Sequence, residues 1–321
     1  MRPYIGPSFR LVEEVSFDAF EFGAGVAARD APLLVKGAVR HWPAWEKWTF
    51  DNLARMCEAN PSAHSASFQT GLTEQGATRQ RVDQDVSPYL RELAAAAARQ
   101  PDPARALLHP DRRAGLQAGE RFHLDWSRMD FKPDRTYLQQ WDMLAHLPQL
   151  RGDFPMRRLW PGLRKTWEYA FIGPADTLSG LHCDFPNNWF CQVRGAKEFV
   201  LFTRDQTPHL SVARKYDWGA TLSDVDISRL GEEGRVRDRF GEACGIYARV
   251  EAGDALFIPK RTWHAVVALE PSISIGIFGL TPLEIVVGGG AATLKDALHH
   301  ARLYRWGNCT CHPHREARAT A

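Results

Sequence analysis

From residue 136 onward the chain breaks into short apolar runs separated by turn residues, and this rhythm limits its fold more than anything else. Thr136-Tyr137-Leu138-Gln139-Gln140-Trp141 alternates as a strand does, and residues 167–172 and 197–202 are further runs. Residues 247–251 lead through Ala252-Gly253-Asp254 to 255–259, the order expected of a hairpin. Two more runs, 265–268 and 272–278, complete the set. Many short strands with turns between them favour a closed or double-sheet β architecture over a βαβ fold.

The first third reads differently, as helices with one short strand. Ser16 can cap a helix carrying Phe17, Phe20 and Phe22 that ends near Gly23 and Gly25, and residues 32–37 form the strand. Trp42, Trp45 and Trp48 are spaced as a packing cluster, and Thr49 can cap a helix through Leu53 to Cys57. Residues 72–86 read as a polar loop. Ser87-Pro88 starts an alanine-rich helix, 89–99, expected on the surface, and 101–119 as a flexible polar connection. A charged insert, 204–244, with Asp205, Asp217, Asp224, Asp226, Glu232 and Glu233, reads as a solvated loop with a short helix. The tail is helical over 293–303, with Leu294, Ala297, Leu298 and Ala301 on one face, suited to packing on the core or on a second copy. Beyond it, Cys309, Cys311, His312 and His314 invite a zinc site but have no second Cys/His pair, and they read as a frayed end.

Composition excludes several classes. A content of 44% hydrophobic and 24% charged residues is that of an ordinary globular protein, and eleven tryptophans suit a β-rich core or a roomy pocket. A net charge of +2 gives nucleic acid or an anionic membrane no general electrostatic support, though it leaves a local basic patch open. No apolar run approaches the roughly 20 residues that span a bilayer, and residues 1–7 lack the apolar stretch of a signal peptide. Six cysteines are too few for a disulfide scaffold, which points to the cytoplasm.

The chemistry concentrates in Ser179-Gly180-Leu181-His182-Cys183-Asp184. On a strand, His182 and Asp184 share a face and supply half of a metal site. Two histidines and one carboxylate, with positions left open, are the donor set of non-haem Fe(II) oxygenases; His264 is the second histidine. It lies far along the chain, so the fold must return a late strand beside an early one, as a double-stranded β-helix does. Lys197 heads a buried run, where an ammonium is costly unless an anion meets it. A dicarboxylate chelating the metal at one end would offer that anion at the other. Tyr137 and Ser179 could add hydroxyl donors, and Asn188 a bond nearer the metal.

At these residues the chain resembles the JmjC/cupin-like family of Fe(II)- and 2-oxoglutarate-dependent oxygenases, nearest in pattern to its asparaginyl hydroxylases. The likeness rests on Tyr-Leu-Gln-Gln at 137–140, His-x-Asp at 182–184, Asn188, Gly195-x-Lys197, and Gly253-Asp254 through Ile258-Pro259 to Trp263-His264. It extends weakly over 32–45. The resemblance implies a mainly β chain with flanking helices around a double-stranded β-helix (jelly-roll) core. Residues 1–120 would pack on that core, 121–285 would form it, and 286–321 would be a C-terminal helix and tail. It implies that His182, Asp184 and His264 bind Fe(II) and carry the chemistry with O2. Lys197, Tyr137 and Ser179 would hold the distal carboxylate of 2-oxoglutarate, and Asn188 would contact the proximal one. The implied reaction hydroxylates a protein or peptide side chain, releasing succinate and carbon dioxide. N-methyl-lysine demethylation and oxidation of an RNA base or small molecule are alternatives. A catalytically silent cupin-type binding protein is the non-enzyme alternative, against which the intact triad and Lys197 argue. Related hydroxylases dimerise through C-terminal helices, so a homodimer is a further expectation. The chain departs from the asparaginyl hydroxylases at Ser179 (threonine there), Gly276 (asparagine), Pro186 (a polar residue) and Phe278 (tryptophan). The co-substrate half of the pattern therefore transfers better than the substrate half.

Overall fold

Strands that are apolar on both faces need cover on both sides, and this chain meets that demand with two facing sheets. The computed structural model describes residues 6–21, 25–70, 80–99, 105–128, 131–132, 135–155, 165–217, 219–230 and 239–311. Its strands are β1 (Ser8–Leu11), β2 (Glu13–Ser16), β3 (Leu33–Lys36), β4 (Ser65–Thr70), β5 (Gln80–Asp85), β6 (Phe122–His123), β7 (Thr136–Trp141) and β8 (Lys165–Gly173). They continue as β9 (Leu178–Asp184), β10 (Asn187–Arg194), β11 (Lys197–Phe202), β12 (Ala220–Leu222), β13 (Cys244–Val250), β14 (Ala255–Ile258), β15 (Trp263–Ala268) and β16 (Ser272–Leu280). One sheet runs β12-β9-β15-β11-β13-β1-β6, the other β2-β3-β14-β10-β16-β8-β7-β4-β5.

From β8 to β11 successive strands alternate between the sheets, and β13 to β16 alternate again. The late strands slot antiparallel between the early ones, β16 between β8 and β10, and β15 between β9 and β11. That interleaving is a double-stranded β-helix, a jelly-roll core. The turn at 252–254 is consequently a corner and not a hairpin, because β13 pairs with β11 and β1 while β14 pairs with β10 and β3. A turn fixes where the chain reverses, but the sheet each flanking strand joins is decided by its distant partners. Gly195 makes another such corner, with φ 71° and a position where a Cβ would stand 2.3 Å from the Pro271 carbonyl oxygen.

Alternation along each strand divides the core into layers. On β11, Phe199 and Leu201 point between the sheets, with Tyr137, Phe171, Phe190, Leu256 and Phe278. Val200 and Phe202 point to the outside of the smaller sheet, under Phe9, Trp126 and Phe240. The outer face of the larger sheet is covered by helices α1 (Pro43–Lys47), α2 (Phe50–Ala59) and α3 (Val86–Ala97), where Trp42, Trp48, Leu53 and Leu90 are buried.

The first third holds more strand than its sequence pattern indicates. Ser16 ends β2, opposite Lys36, and caps only the single turn Phe17–Ala19, without a side-chain bond. Thr49 does cap α2, accepting from the Asn52 amide at 3.1 Å. α3 begins at Val86; Ser87 donates to Glu58 (2.7 Å), and Tyr89, Leu90 and Leu93 are buried against α2, so α3 is not a surface helix. Within 72–86, residues 80–85 are β5, held by β4; the rest lie outside the described residues. Within 101–119, residues 105–119 are ordered around α4 (Pro110–Gly115), and the Leu107 and Leu108 amides donate to the buried Glu198 carboxylate. Burial pushes that carboxyl up, and the Tyr247 hydroxyl and these amides offset the shift. The insert is anchored rather than solvated: Leu210, Leu222, Val225, Ile227 and Phe240 are buried, and β12 pairs with β9. Glu232 and Glu233 lie outside the described residues, as do Phe22, Gly23, His312 and His314.

The C-terminal helix spans Gly290–His300, entered through a π-helical turn at Ile285–Gly289. Among the described residues no helix is long and apolar enough to cross a membrane.

Candidate metal centre

β9 carries His182 and Asp184 two residues apart, and β15, antiparallel beside it, sets His264 directly opposite His182. The imidazole centroids are 4.2 Å apart, and His264 Nε2 is 3.6 Å from Asp184 Oδ2. One donor atom from each of the three residues lies within 4.8 Å of the other two. Each histidine directs Nδ1 at a backbone carbonyl, His182 at Gly180 (2.7 Å) and His264 at Thr262 (3.0 Å). A carbonyl only accepts, so Nδ1 carries the hydrogen and Nε2 presents its lone pair to the centre. Burial, then the neighbouring His182, pushes His264 down to about 3, which keeps the ring neutral. Lone pairs and a carboxylate converging in a buried space repel unless a cation sits among them. The donor set fits a divalent metal ion with positions left open.

Strand β12 stiffens the site from outside, pairing Leu222 with His182 and Ala220 with Asp184. Arg261, held at φ 59°, donates its amide to the Asp184 carbonyl (2.8 Å). Nothing in the sequence marks β12, whose three residues are too few to show a period.

Ser179 is three residues before His182, so regular alternation would turn it away. The β9–β15 register removes the difficulty: His264 faces His182, but Val266 faces Ser179, so β9 holds one extra residue there. This bulge returns Ser179 to the face of His182. Lys197 lies opposite Ala268, four residues along β15 from His264, or about 13 Å of strand. Its ammonium is buried, donates to the Tyr137 hydroxyl at 3.2 Å, and stands 5.2–5.3 Å from the ring centres of Phe190 and Tyr137. Among the described residues no carboxylate pairs with it, and burial alone pushes it down to about 7. Burial likewise pushes the Tyr137 hydroxyl well up, so it remains a donor. Gly173 makes room for that ring, since a Cβ there would lie 2.5 Å from Tyr137 Cδ2. Asn188 shares the Phe190 face of β10, and its Oδ1 is buried with no partner among the described residues. Among the described residues, the space between the sheets thus brings together three converging metal donors, the buried Lys197 amine and the unsatisfied Asn188 oxygen. A surface cleft of about 700 Å³, lined by Arg10, Glu14, Arg113 and Arg249, lies elsewhere, and no donor borders it.

Comparison with known proteins places this architecture. A family model described as "Cupin-like domain" matches residues 19–278. The chain belongs to the cupin-like domain family. It is similar to a lysine-specific demethylase 8 of Xenopus tropicalis, 22% identical over 77% of this chain and 47% of that protein. It is also similar to an arginine-specific demethylase of Arabidopsis thaliana, at 25% over 76% of this chain and 41% of the other. A tRNA wybutosine-synthesizing protein 4 of Emericella nidulans is 29% identical over 43% of this chain and 12% of its own length. The chain therefore spans less than half the length of these relatives.

This cupin-like domain has its own mouth. Asp184, Phe185 and Pro186 form a half-buried rim. The Phe185 ring fits against the π-helical turn only because Gly288 lacks a side chain, whose Cβ would lie 1.8 Å from the ring. At Gly276 a Cβ would meet Phe171 (2.9 Å) and Phe278 (3.0 Å), so no asparagine fits without moving both rings. The space around Gly276 and the Asn188 oxygen is accordingly aromatic.

Proposed function

We propose that this chain is a 2-oxoglutarate-dependent non-haem iron dioxygenase that hydroxylates a protein or peptide side chain. The carrying observation is the coexistence, between the same two sheets, of the converging donors of His182, Asp184 and His264 with a buried Lys197 that no carboxylate partners among the described residues. In this reading those three residues hold Fe(II). Lys197, with the hydroxyls of Tyr137 and Ser179, meets the distal carboxylate of 2-oxoglutarate, and Asn188 bonds the proximal end. Bound Fe(II), 2-oxoglutarate and O2 supply the oxidation: one oxygen atom enters a C–H bond of the substrate and the other enters succinate, as carbon dioxide leaves. The protein's own part is positional. The Nδ1–carbonyl bonds orient both imidazoles with Nε2 inward, Lys197 and Tyr137 set the co-substrate's direction, and the aromatic walls exclude water.

The relatives named as lysine- and arginine-specific demethylases support a second reading of the same chemistry. Hydroxylation of an N-methyl carbon followed by loss of formaldehyde would be demethylation. The wybutosine relative keeps an RNA substrate among the outcomes. A reducing compartment such as the cytoplasm suits six cysteines that are all thiols. A second copy of this chain is the partner proposed for the C-terminal segment, where Leu283, Val286, Leu294, Leu303 and Trp306 are exposed; light scattering on Leu294→Glu should then report a lower mass than on the parent.

The test is turnover. Purified protein with Fe(II), 2-oxoglutarate and oxygen should form succinate, faster with host peptides that gain an oxygen by mass spectrometry. Formaldehyde release with methylated peptides would favour demethylation. No succinate under any of these conditions would overturn the reading.

A further inference from the structure

A second cluster of metal-ligating side chains lies outside the barrel. We propose that His299, Cys309 and Cys311 form a zinc site that staples the C-terminal tail to the insert bordering the barrel's donors. Read alone, Cys309-x-Cys311 lacks a partner pair; the fold supplies a third ligand in His299, in the last turn of the C-terminal helix. One donor atom from each of the three lies within 4.8 Å of the others, and His299 Nε2 is 3.3 Å from Cys311 Sγ. Tetrahedral zinc at ordinary bond lengths separates a nitrogen and a sulfur ligand by about 3.5 Å. A thiolate–imidazole donor set suits zinc, and it differs in softness from the oxygen-containing set in the barrel.

The backbone brings these donors together deliberately. After the helix the chain turns back through left-handed residues Arg302 (φ 64°), Arg305 (φ 49°) and Gly307 (φ 77°). Cys309 then lies beside Tyr216 as a parallel bridge, with Tyr216 N donating to Asn308 O (2.9 Å) and Thr310 N to Tyr216 O (3.1 Å). His299 is fully buried, stacks on Tyr216 at 4.1 Å, and directs Nδ1 at the Tyr304 carbonyl (2.8 Å). The carbonyl only accepts, so Nε2 again offers its lone pair to the cluster. Cys309 is buried, Cys311 is exposed, and both are thiols. Three protein ligands leave the fourth position of the tetrahedron to a further donor.

The consequence reaches the barrel. Tyr216 belongs to the insert whose strand β12 pairs with His182 and Asp184, and the helix that carries His299 in its last turn begins at the turn packed on Phe185. An ion here would tie both supports of the barrel's rim to one point. The site is independent of the oxygenase reading, since it needs neither iron nor 2-oxoglutarate.

Metal analysis of the full chain, dialysed against metal-free buffer, tests the proposal. One zinc per chain is expected, kept by His182→Ala and lost by Cys309→Ser/Cys311→Ser and by Cys311→Ser alone, whose exposed position spares the fold. Cobalt exchanged for zinc should give a thiolate-to-cobalt charge-transfer band in the parent and none in the cysteine variants. Zinc content unchanged by the cysteine substitutions, no cobalt band in the parent, or a mass lighter by two hydrogens from a Cys309–Cys311 disulfide would each overturn it.

Discussion

The two three-donor clusters of this chain use the same local device on opposite kinds of backbone. In both, a histidine Nδ1–H is fixed by a main-chain carbonyl so that Nε2 faces its neighbours. In the barrel the donors stand on paired strands, and hydrogen-bond register sets their separation. In the tail they stand on a helix end and a left-handed return, held to the insert by a few main-chain bonds. The barrel donors include a carboxylate and suit a metal such as Fe(II), whereas the tail donors are two sulfurs and an imidazole and suit zinc. Pre-organised strands should tolerate loss of the ion, while the return loop should depend on it.

The sharpest break of that contrast is His182→Ala or Asp184→Ala. Either should reduce iron-dependent succinate formation to background, with unchanged zinc content and nearly unchanged melting temperature. A large loss of stability would mean that the barrel, too, needs its ion to fold.

Lys197→Ala is next. It removes a charge-assisted contact of about 1.5–3 kcal/mol, so the 2-oxoglutarate concentration for half-maximal rate should rise roughly 10- to 150-fold, while iron affinity stays within a few-fold. The same residue gives a pH test. Burial depresses the folded-state amine from 10.5 to about 7. Between those values the unfolded chain binds a proton that the folded chain does not, so this group makes stability rise with pH across that window and penalises it fully below about 7. Lys197→Met should therefore raise stability most at and below about pH 7, and denaturant titrations should show the gain shrinking towards pH 10.5. A gain independent of pH would mean the amine is charged in the folded chain. The smallest expected effect is that of Ser179→Ala, a rise of roughly two- to tenfold in the 2-oxoglutarate requirement, from one neutral hydrogen bond.

The contrast also explains what the sequence makes legible. Strand period two places His182 and Asp184 on one face, and buried runs such as 197–202 announce sheets, so the jelly-roll and the donors on it can be read along the chain. Partners fixed by long-range pairing cannot. Residues 252–254 carry every local mark of a hairpin, yet their flanking strands join different sheets. The bulge that turns Ser179 inward is a property of the β9–β15 pair, and β12 is too short to show a pattern. α3 reads as a surface helix because its exposed alanines mask the Tyr89, Leu90 and Leu93 stripe. His299 joins Cys309 and Cys311 only through left-handed residues at arginine, a conformation that sequence gives no reason to expect.

The central claim, that metal and 2-oxoglutarate share the space between the sheets, is tested most directly by anaerobic titration of 2-oxoglutarate into the Fe(II)-loaded protein. The account predicts the weak visible charge-transfer absorption of the iron–2-oxoglutarate chelate in the parent chain, its absence in His182→Ala, and its displacement to higher 2-oxoglutarate concentration in Lys197→Ala. A parent chain that binds Fe(II) and develops no such band at saturating 2-oxoglutarate would contradict it.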